Sequence, residues 1–354
     1  MNVVTITGIR PDFIRMSEIF KKLDKNFKHT LIHTGQHYDK MLSEIFFHEL
    51  DIRKPDYQLT MGGANKEHFH QLSYLSTAII ELFRSENIKP DIVLFLGDSN
   101  SVCAALPLKK EGYRIGHIEA GMRSGDKRML EEINRITCDH CSDILFTYHN
   151  NYTTNLIREN ISSCNIYNVG NNIVEPCKKI IDKYLIEPVT CDYILVDIHR
   201  PENFLYKNRL VKIIEFVKEA SYKFKVPIKM VRFKRTFECI EKYNIDMSGI
   251  DVYGLMSYVN FIKAQYNSLF IISDSGTAQE EPALLNTPVL VPRDYTERPE
   301  SIEHNCSKMV DVFNDTNKYM SLQWISSQLN VSRIDSSWLG NGCTSDLIVE
   351  RLKR

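Results

Sequence analysis

Three carboxylates and one histidine fall where short runs of the chain give way to polar turns, and side chains of these types can move protons. Asp98 sits in Gly97-Asp-Ser-Asn-Ser101, directly after the apolar run 92–96. Glu119 lies in His117-Ile-Glu-Ala-Gly121, and Glu131 opens Glu131-Glu-Ile-Asn-Arg135. His199 lies in Ile198-His-Arg-Pro-Glu-Asn203. A carboxylate ending a buried strand needs a partner, because an unpaired charge there is costly. If Asp98, Glu119 and Glu131 share one site, they raise one another's pKa. One can then donate a proton near neutral pH while another accepts one. His199 can act as an acid, a base or a phosphate ligand. Each residue also has a plain structural reading. Asp98 can be a helix N-cap, Glu131 and Arg135 an ordinary i,i+4 ion pair, and His199 a loop histidine.

A second set of residues suits an anion. Thr7-Gly-Ile-Arg-Pro-Asp12 follows the first apolar run. Gly8 permits a tight turn there, and Pro11 suits the first turn of a helix. Arg10 then stands at the helix head beside open N–H groups, a place for phosphate, with Arg15 one turn on. Gln36, in His33-Thr-Gly-Gln-His37, belongs with these binding candidates. In Ser273-Asp-Ser-Gly-Thr-Ala-Gln-Glu-Glu281, the backbone N–H groups of Ser275, Gly276 and Thr277 are offered to a diphosphate at a helix start. Glu281, on that helix, can take a ribose diol. Arg293 and Arg298 follow in Arg293-Asp-Tyr-Thr-Glu-Arg-Pro-Glu300, either as phosphate partners or as part of a solvated loop. The chain contains neither G-x-G-x-x-G nor G-x-x-x-x-G-K-[ST], so nicotinamide and P-loop readings lack their motif. The Ser275 turn is not G-x-S-x-G, so it is no nucleophile elbow.

The elements that position these residues alternate. Strands are predicted over 3–7, 30–34, 92–96, 114–118 and 144–147, then over 193–196, 228–231, 252–253, 269–272 and 289–291. Helices are predicted over 13–23, 40–50, 67–86, 102–111 and 131–141, then over 210–224, 237–243, 258–266 and 278–285, with a closing helix over 345–354. This is the pattern of an α/β fold with parallel sheets covered on both faces. The polar motifs fall at the carboxyl ends of the strands, where open α/β sheets bind ligands. A chain of 354 residues suits about two domains. The expected boundary lies near Gly170-Asn-Asn172, giving one domain over 1–171 completed by 337–354 and a second over 172–336, with a cleft between them.

Composition narrows the function classes. A net charge of −1 leaves no basic excess for nucleic acid. The start Met1-Asn-Val-Val-Thr-Ile-Thr7 lacks the basic segment and apolar length of a signal peptide. No run reaches the roughly 18 apolar residues of a membrane span. Nine cysteines without framework spacing suggest reduced thiols in a cytoplasmic chain. Cys138-Asp-His-Cys141 lacks a second pair for zinc, so no metal is expected.

Eight motifs in order carry a resemblance. They are Gly8-Ile-Arg-Pro11, His33-Thr-Gly-Gln-His37, Gly97-Asp-Ser-Asn-Ser101, His117-Ile-Glu-Ala-Gly-Met-Arg123, Glu131-Glu-Ile-Asn-Arg135, His199-Arg-Pro-Glu-Asn203, Asp274-Ser-Gly-Thr-Ala-Gln-Glu-Glu281 and Thr296-Glu-Arg-Pro-Glu300. With them the chain resembles the non-hydrolysing UDP-N-acetylglucosamine 2-epimerase family over nearly its whole length. The resemblance implies a GT-B-like fold: two Rossmann-like domains, the UDP-sugar in the cleft between them, and usually a homodimer. It also implies a reaction without a cofactor. UDP is eliminated as the C2 proton leaves, giving a 2-acetamidoglycal, and UDP re-adds as a proton returns to the opposite face. By this resemblance Asp98, Glu119, Glu131 and His199 match the catalytic set. Arg10, Arg135, Ser275, Gly276, Glu281 and Arg298 match the nucleotide-sugar contacts. The chemistry fits the residue types. A weakly acidic C2 proton needs a placed base and an acid on the other face, and departing UDP needs arginines and helix N-termini.

The sequence departs from the family pattern at several places. Ile9 and Asp12 stand where threonine and glutamate are common, Arg15 where lysine is, and Leu130 where proline is. Tyr38-Asp39 differs from members activated by a second UDP-GlcNAc, so no such activation is expected. Thr277 replaces a common glycine. Together with the 33–39 segment and Ile52-Arg-Lys-Pro-Asp-Tyr57, it looks more like the branch acting on UDP-2-acetamido-2,6-dideoxy-L-hexoses for surface polysaccharides. UDP-GlcNAc and UDP-ManNAc are the other substrates in view. A GT-B glycosyltransferase, a hydrolysing 2-epimerase releasing free sugar, and a nucleotide-sugar sensor are the competing readings. A transferase has no use for a C2 base.

Overall fold

Ile92-Val-Leu-Phe-Leu96 is buried at all five positions, so apolar cover lies above and below it, as in the centre of a doubly wound parallel sheet. The computed structural model describes residues 1–36, 47–61, 67–126, 128–187 and 192–354. They form two units, Met1–Pro176 with Leu339–Arg354, and Cys177–Trp338.

The first unit contains β1 (Asn2–Thr7), β2 (Lys28–His33), β3 (Tyr57–Gln58), β4 (Ile92–Leu96), β5 (Ile115–Ile118), β6 (Ile144–Thr147) and β7 (Ile166–Asn168). All pair in parallel, in the order β3-β2-β1-β4-β5-β6-β7. The order reverses between β1 and β4, and the carboxyl ends of strands at such a switch point form a ligand crevice. Ile6 pairs with Phe95 and Leu96 with Ile118, so the turns at Gly8, Gly97 and Glu119 leave the sheet side by side. Helix Arg10–Asn26 has Pro11 in its first turn and buries Phe13, Met16, Ile19, Phe20 and Leu23. The closing helix Thr344–Leu352 packs on it within this unit. Thr344 Oγ1 donates to the Val169 carbonyl at 2.9 Å, and the Ser345 N–H to Glu175 Oε1 at 2.8 Å.

The second unit repeats the design with β8 (Ile194–Asp197), β9 (Ile228–Val231), β10 (Ile250–Tyr253), β11 (Phe270–Ser273), β12 (Val289–Val291) and β13 (Ser307–Met309). The order is β10-β9-β8-β11-β12-β13, again all parallel. Its switch point lies between β8 and β11, where Asp197 pairs with Ser273.

The structure adds and corrects elements. Strands β3, β7 and β13 and helices Asn150–Arg158, Val174–Lys183, Pro299–Glu303 and Asp315–Gln328 are absent from the sequence prediction. The helix predicted over 278–285 is instead a 3-10 turn, Thr277–Gln279, followed by the short helix Glu281–Leu284. Pro282, which has no N–H to donate, stands at this junction. His37, Tyr38, Asp39 and residues 40–46 of the predicted helix 40–50 lie outside the described residues. Among the described residues no helix is long and apolar enough to cross a membrane.

Candidate active site

In the first unit the turns after β1, β2 and β4 interlock. A Cβ on Gly8 would collide with the Ser101 side chain and lie 3.1 Å from Gln36 Oε1, so only glycine fits. Ser101 Oγ is hydrogen-bonded to Thr34 Oγ1 at 3.1 Å. Arg10 is half-buried at the first position of its helix. Asp12 Oδ2 accepts the N–H groups of Gly8 at 2.8 Å and Ile9 at 3.1 Å, closing the open helix end. Burial, with Asp98 and Glu119 nearby, outweighs those two bonds and pushes the Asp12 carboxyl up to about 7. Asp12 is thus an acid poised near neutrality beside the expected carboxylates. It was legible only as a departure from a family pattern.

Glu119 follows β5 at φ +72°, a left-handed backbone rare outside glycine, which costs of order 1–3 kcal/mol. Its Oε2 pairs with Arg15 Nη1 at 2.9 Å, both side chains buried. Its Oε1 lies 3.7 Å from where a Cβ on Gly97 would stand, which sets it over the residue before Asp98.

Asp98 does not cap a helix. Ser99 holds the N-cap of the 3-10 turn Asn100–Ala104, and the Asp98 carboxylate instead pairs with Arg135 Nη2. Arg135 is 1% exposed and also donates from Nη1 to Glu132 Oε2 at 2.6 Å. Glu132 further accepts the Ser124 hydroxyl at 3.1 Å and the Gly125 N–H at 3.2 Å. Asn134 Nδ2 donates to the Asp98 carbonyl at 2.9 Å. Of the two adjacent glutamates, Glu132 anchors Arg135 and the 124–125 turn, while Glu131 stands half-buried in the first turn of helix Leu130–Cys141.

His117, wholly buried on β5, sets this arrangement from below. Nδ1 donates to Asp139 Oδ1 at 2.6 Å and Nε2 to the Gly97 carbonyl at 2.7 Å. Asp139 also accepts the Gly121 N–H at 3.1 Å and pairs with Arg123 at 2.8 Å, so it is ionised. Both acceptors take protons, so the ring carries two and is an imidazolium. Burial alone would lower its pKa. The neighbouring Cys138 and Asp139 reverse that and hold it well above the ordinary 6.5. His117 thereby ties the turn before Asp98 to the turn after Glu119.

In the second unit Asp274 straps a loop to the end of β11. It accepts the N–H groups of His199 and Arg200, each at 3.0 Å, and Asn203 Nδ2 at 2.9 Å. His199 Nδ1 donates to Asp197 Oδ1 at 2.8 Å, with Asp274 Oδ1 at 3.5 Å. Burial would lower the His199 pKa, but Asp197 and then Asp274 raise it above 6.5 against the opposing charge of Arg200. Among the described residues, Asp197, His199 and Asp274 are the group whose donor atoms come as close as a cation would need, within 4.8 Å of one another. Their oxygens already accept these N–H bonds, so we read the trio as a hydrogen-bonded histidine rather than metal ligands.

The anion turn is narrower than its sequence suggested. The Ser275 N–H is used on Ser273 Oγ at 3.0 Å, which leaves Gly276 and Thr277 at the open start of the 3-10 turn. A Cβ on Gly276 would collide with the Arg298 guanidinium and lie 2.8 Å from Glu297 Oε1. Arg298 is held there by Glu280 at 2.7 Å and Glu297 at 2.5 Å. Arg293 is buried too, with Nη2 3.1 Å from Glu297 Oε2, so it is no solvated loop residue. Glu281 is buried and accepts Gln265 Nε2 at 2.8 Å.

Two doubly wound parallel α/β units, each with polar residues at its switch point, have the architecture of the GT-B-like class. A sequence model of the family described as UDP-N-acetylglucosamine 2-epimerase matches residues 21–353. The chain is 35% identical, over 370 residues, to a UDP-N-acetylglucosamine 2-epimerase homolog of Methanococcus maripaludis, covering 100% of this chain and 99% of that one. It is 32% identical to the UDP-2,3-diacetamido-2,3-dideoxy-D-glucuronate 2-epimerase of Pseudomonas aeruginosa, covering 100% of both chains. Among solved structures it is similar to the UDP-GlcNAc 2-epimerase of Methanocaldococcus jannaschii in complex with UDP-GlcNAc and UDP. The TM-score is 0.90 at 33% identity, covering 100% of this chain and 99% of that one. The chain therefore belongs to the UDP-N-acetylglucosamine 2-epimerase family, a family of isomerases, and its fold is GT-B-like α/β.

Proposed function

We propose that this chain is a non-hydrolysing 2-epimerase of UDP-2-acetamido sugars. A base takes the C2 proton, the C2–H electron pair becomes the C1–C2 double bond of a 2-acetamidoglycal, and UDP departs with the C1–O pair. UDP then re-adds at C1 as a proton returns to C2 on the opposite face. No redox cofactor takes part, since the two half-steps leave the sugar's oxidation level unchanged. The observation that carries this reading is Glu119, kept at φ +72° with its carboxylate between Arg15 and the turn of Asp98. Backbone strain persists where surrounding structure enforces it, and such places are often functional. A glycosyltransferase needs no base at C2 of its donor sugar.

In this reading Asp98, Glu119 and Glu131 handle the C2 protons and His199 serves the departing UDP. Arg10, Arg15, Gln36 and Arg135 belong to the sugar-nucleotide side of the first unit. Gly276, Thr277 and Arg298 take the diphosphate, and Glu281 the ribose. The substrate carries UDP and a 2-acetamido group. UDP-2-acetamido-2,6-dideoxy-L-hexoses are favoured by Thr277, and UDP-GlcNAc, with UDP-ManNAc as its C2 epimer, by relatives named UDP-N-acetylglucosamine 2-epimerase. The reaction is placed in the cytoplasm, in keeping with the free cysteines among the described residues. A homodimer is part of the proposal, supported by the exposed Leu130, Ile133 and Ile136 on one helix.

Incubation with each of these UDP-sugars tests the reading. The expected product is the C2 epimer as an intact UDP-sugar. Stoichiometric free sugar and UDP would instead mark a hydrolysing enzyme. Gly276→Ala is expected to displace Arg298 and weaken UDP binding about tenfold or more, each tenfold being about 1.4 kcal/mol. Titration calorimetry with UDP checks this, and an unchanged affinity would remove Arg298 from the diphosphate site.

A further inference from the structure

We infer that Asp197 is a positioning residue for the reaction: it holds the Nδ1–H of His199, so that Nε2–H points outward as the donor to the leaving diphosphate. This rests on the epimerase reading above. Asp197 ends β8 and is buried, and its Oδ1 accepts His199 Nδ1 at 2.8 Å. The His199 backbone is fixed independently, by its own N–H on Asp274 at 3.0 Å. One face of the ring lies against Phe233, with centroids 4.9 Å apart. Backbone, ring plane and one ring nitrogen are therefore all set, while the side chain stays 32% exposed. Among the described residues the polar partners of the ring are on Nδ1, which leaves Nε2 for a ligand.

The charge on the ring follows from the groups around it. Asp197 comes from β8, Asp274 from β11, and Arg200 from the histidine's own loop. On the side of helix Lys234–Tyr243 the Phe233 ring intervenes, and Lys234 is paired with Glu238 at 4.0 Å. Two carboxylates against one guanidinium favour the imidazolium, in line with the raised pKa. An imidazolium with Nδ1 committed offers one strong charge-assisted bond from Nε2. Such a bond gains strength as negative charge collects on the β-phosphate oxygen while the C1–O bond breaks. On re-addition the charge returns to the new C1–O bond and no net proton is consumed.

The pH dependence has a definite sign. His199 is active when protonated, so turnover falls as pH rises through its raised value. Asp197→Asn keeps the shape and removes the charge. The alkaline limb of kcat is then expected to move to lower pH, toward the ordinary 6.5, and kcat at pH 8 to fall by about 10²-fold with little change in KM. Asp197→Glu is expected to restore part of both. An Asp197→Asn enzyme with an unmoved alkaline limb, whether fully active or uniformly weakened, would overturn the assignment. A second measurement needs no variant fold. The ¹⁵N shifts of His199 in the wild-type chain are expected to titrate above 6.5 with Nδ1 protonated throughout. Titration at the ordinary value would equally overturn it. Because this readout is independent of turnover, it can fail while the epimerase holds, and it can succeed on a protein that fails to epimerise.

Discussion

Glu119→Gln is expected to reduce turnover by about 10²–10⁴-fold, the usual worth of a placed acid or base, while UDP affinity stays within a few-fold. The amide keeps the size of the side chain and an oxygen for Arg15, which sits 2.9 Å from Oε2, but it can neither take nor return a proton. The diphosphate groups of the proposal, Gly276, Thr277 and Arg298, lie in the other unit and are untouched. Steady-state kinetics on the preferred UDP-sugar, with UDP titrated by calorimetry, separates the two quantities. Near-normal turnover would remove Glu119 from the chemistry and leave its backbone strain without a function. Comparable loss of UDP binding would make it a folding residue.

The second large effect is on stability. Asp139→Ala is expected to destabilise the protein by about 3–5 kcal/mol, the cost of breaking a buried ion pair from one side. Asp139 receives His117 at 2.6 Å, Arg123 at 2.8 Å and the Gly121 N–H at 3.1 Å; its loss orphans His117 Nδ1 and the Gly121 N–H, while Arg123 keeps Glu159 and the Met122 carbonyl. Total stabilities are typically about 5–15 kcal/mol, so this is a large fraction. Two titrations accompany it. The pKa of His117 is raised, so its contribution is complete below the ordinary 6.5 and is lost as pH rises through the higher folded value. Asp139, against its burial, is lowered chiefly by His117. Its contribution is complete above the ordinary 3.8 and is lost as pH falls through the lower folded value. Denaturant unfolding across pH should therefore show a plateau between these limits in the wild type, and a weakened alkaline loss in Asp139→Ala. A change under about 1 kcal/mol would mean that the His117 imidazolium finds another acceptor.

Helix Leu130–Cys141 shows why a site can be half legible. Its apolar residues Ile133 and Ile136 suggest the buried face, yet they are 58% and 36% exposed. The inward face instead holds Glu132, Arg135, Cys138 and Asp139. Hydrophobic periodicity points to the wrong side here because the buried side is polar and paired internally. So Arg135 could be named as a binding residue from its motif, while its engagement with Asp98 and Glu132 could not. The strand ends were easier. An apolar run such as 92–96 followed by glycine and a carboxylate marks both the strand and the place where a ligand meets the sheet. Edge strands of two or three residues, such as Tyr57–Gln58, have no run to detect. In helix Asp315–Gln328 the buried residues include Lys318 and Ser321 while Tyr319 and Met320 face outward, so its pattern is equally silent. Arg53 is a further case. Its segment resembles that of one substrate branch in sequence, but Arg53 pairs with Asp24 at 3.0 Å and Asp56 at 2.8 Å, which gives the segment a structural task. Asp197 had one usable signal, a carboxylate two residues before a site histidine at a strand end. Only the 2.8 Å contact turns that spacing into a partnership.

The reversal of order in both sheets explains why so many candidates cluster. Asp98 and Glu119 follow neighbouring strands beside one switch point, and Asp197, His199 and Asp274 flank the other. The fate of the C2 hydrogen itself distinguishes epimerisation by elimination from every other reading. Wild-type enzyme incubated in D₂O with UDP-GlcNAc, UDP-ManNAc and UDP-2-acetamido-2,6-dideoxy-L-hexoses is monitored by proton NMR. Deuterium is expected to enter C2 of at least one of these sugars while it remains attached to UDP, and the C2 epimer to accumulate. Turnover to an epimer that retains its C2 hydrogen, or no deuterium at C2 with any of them, would contradict epimerisation by elimination.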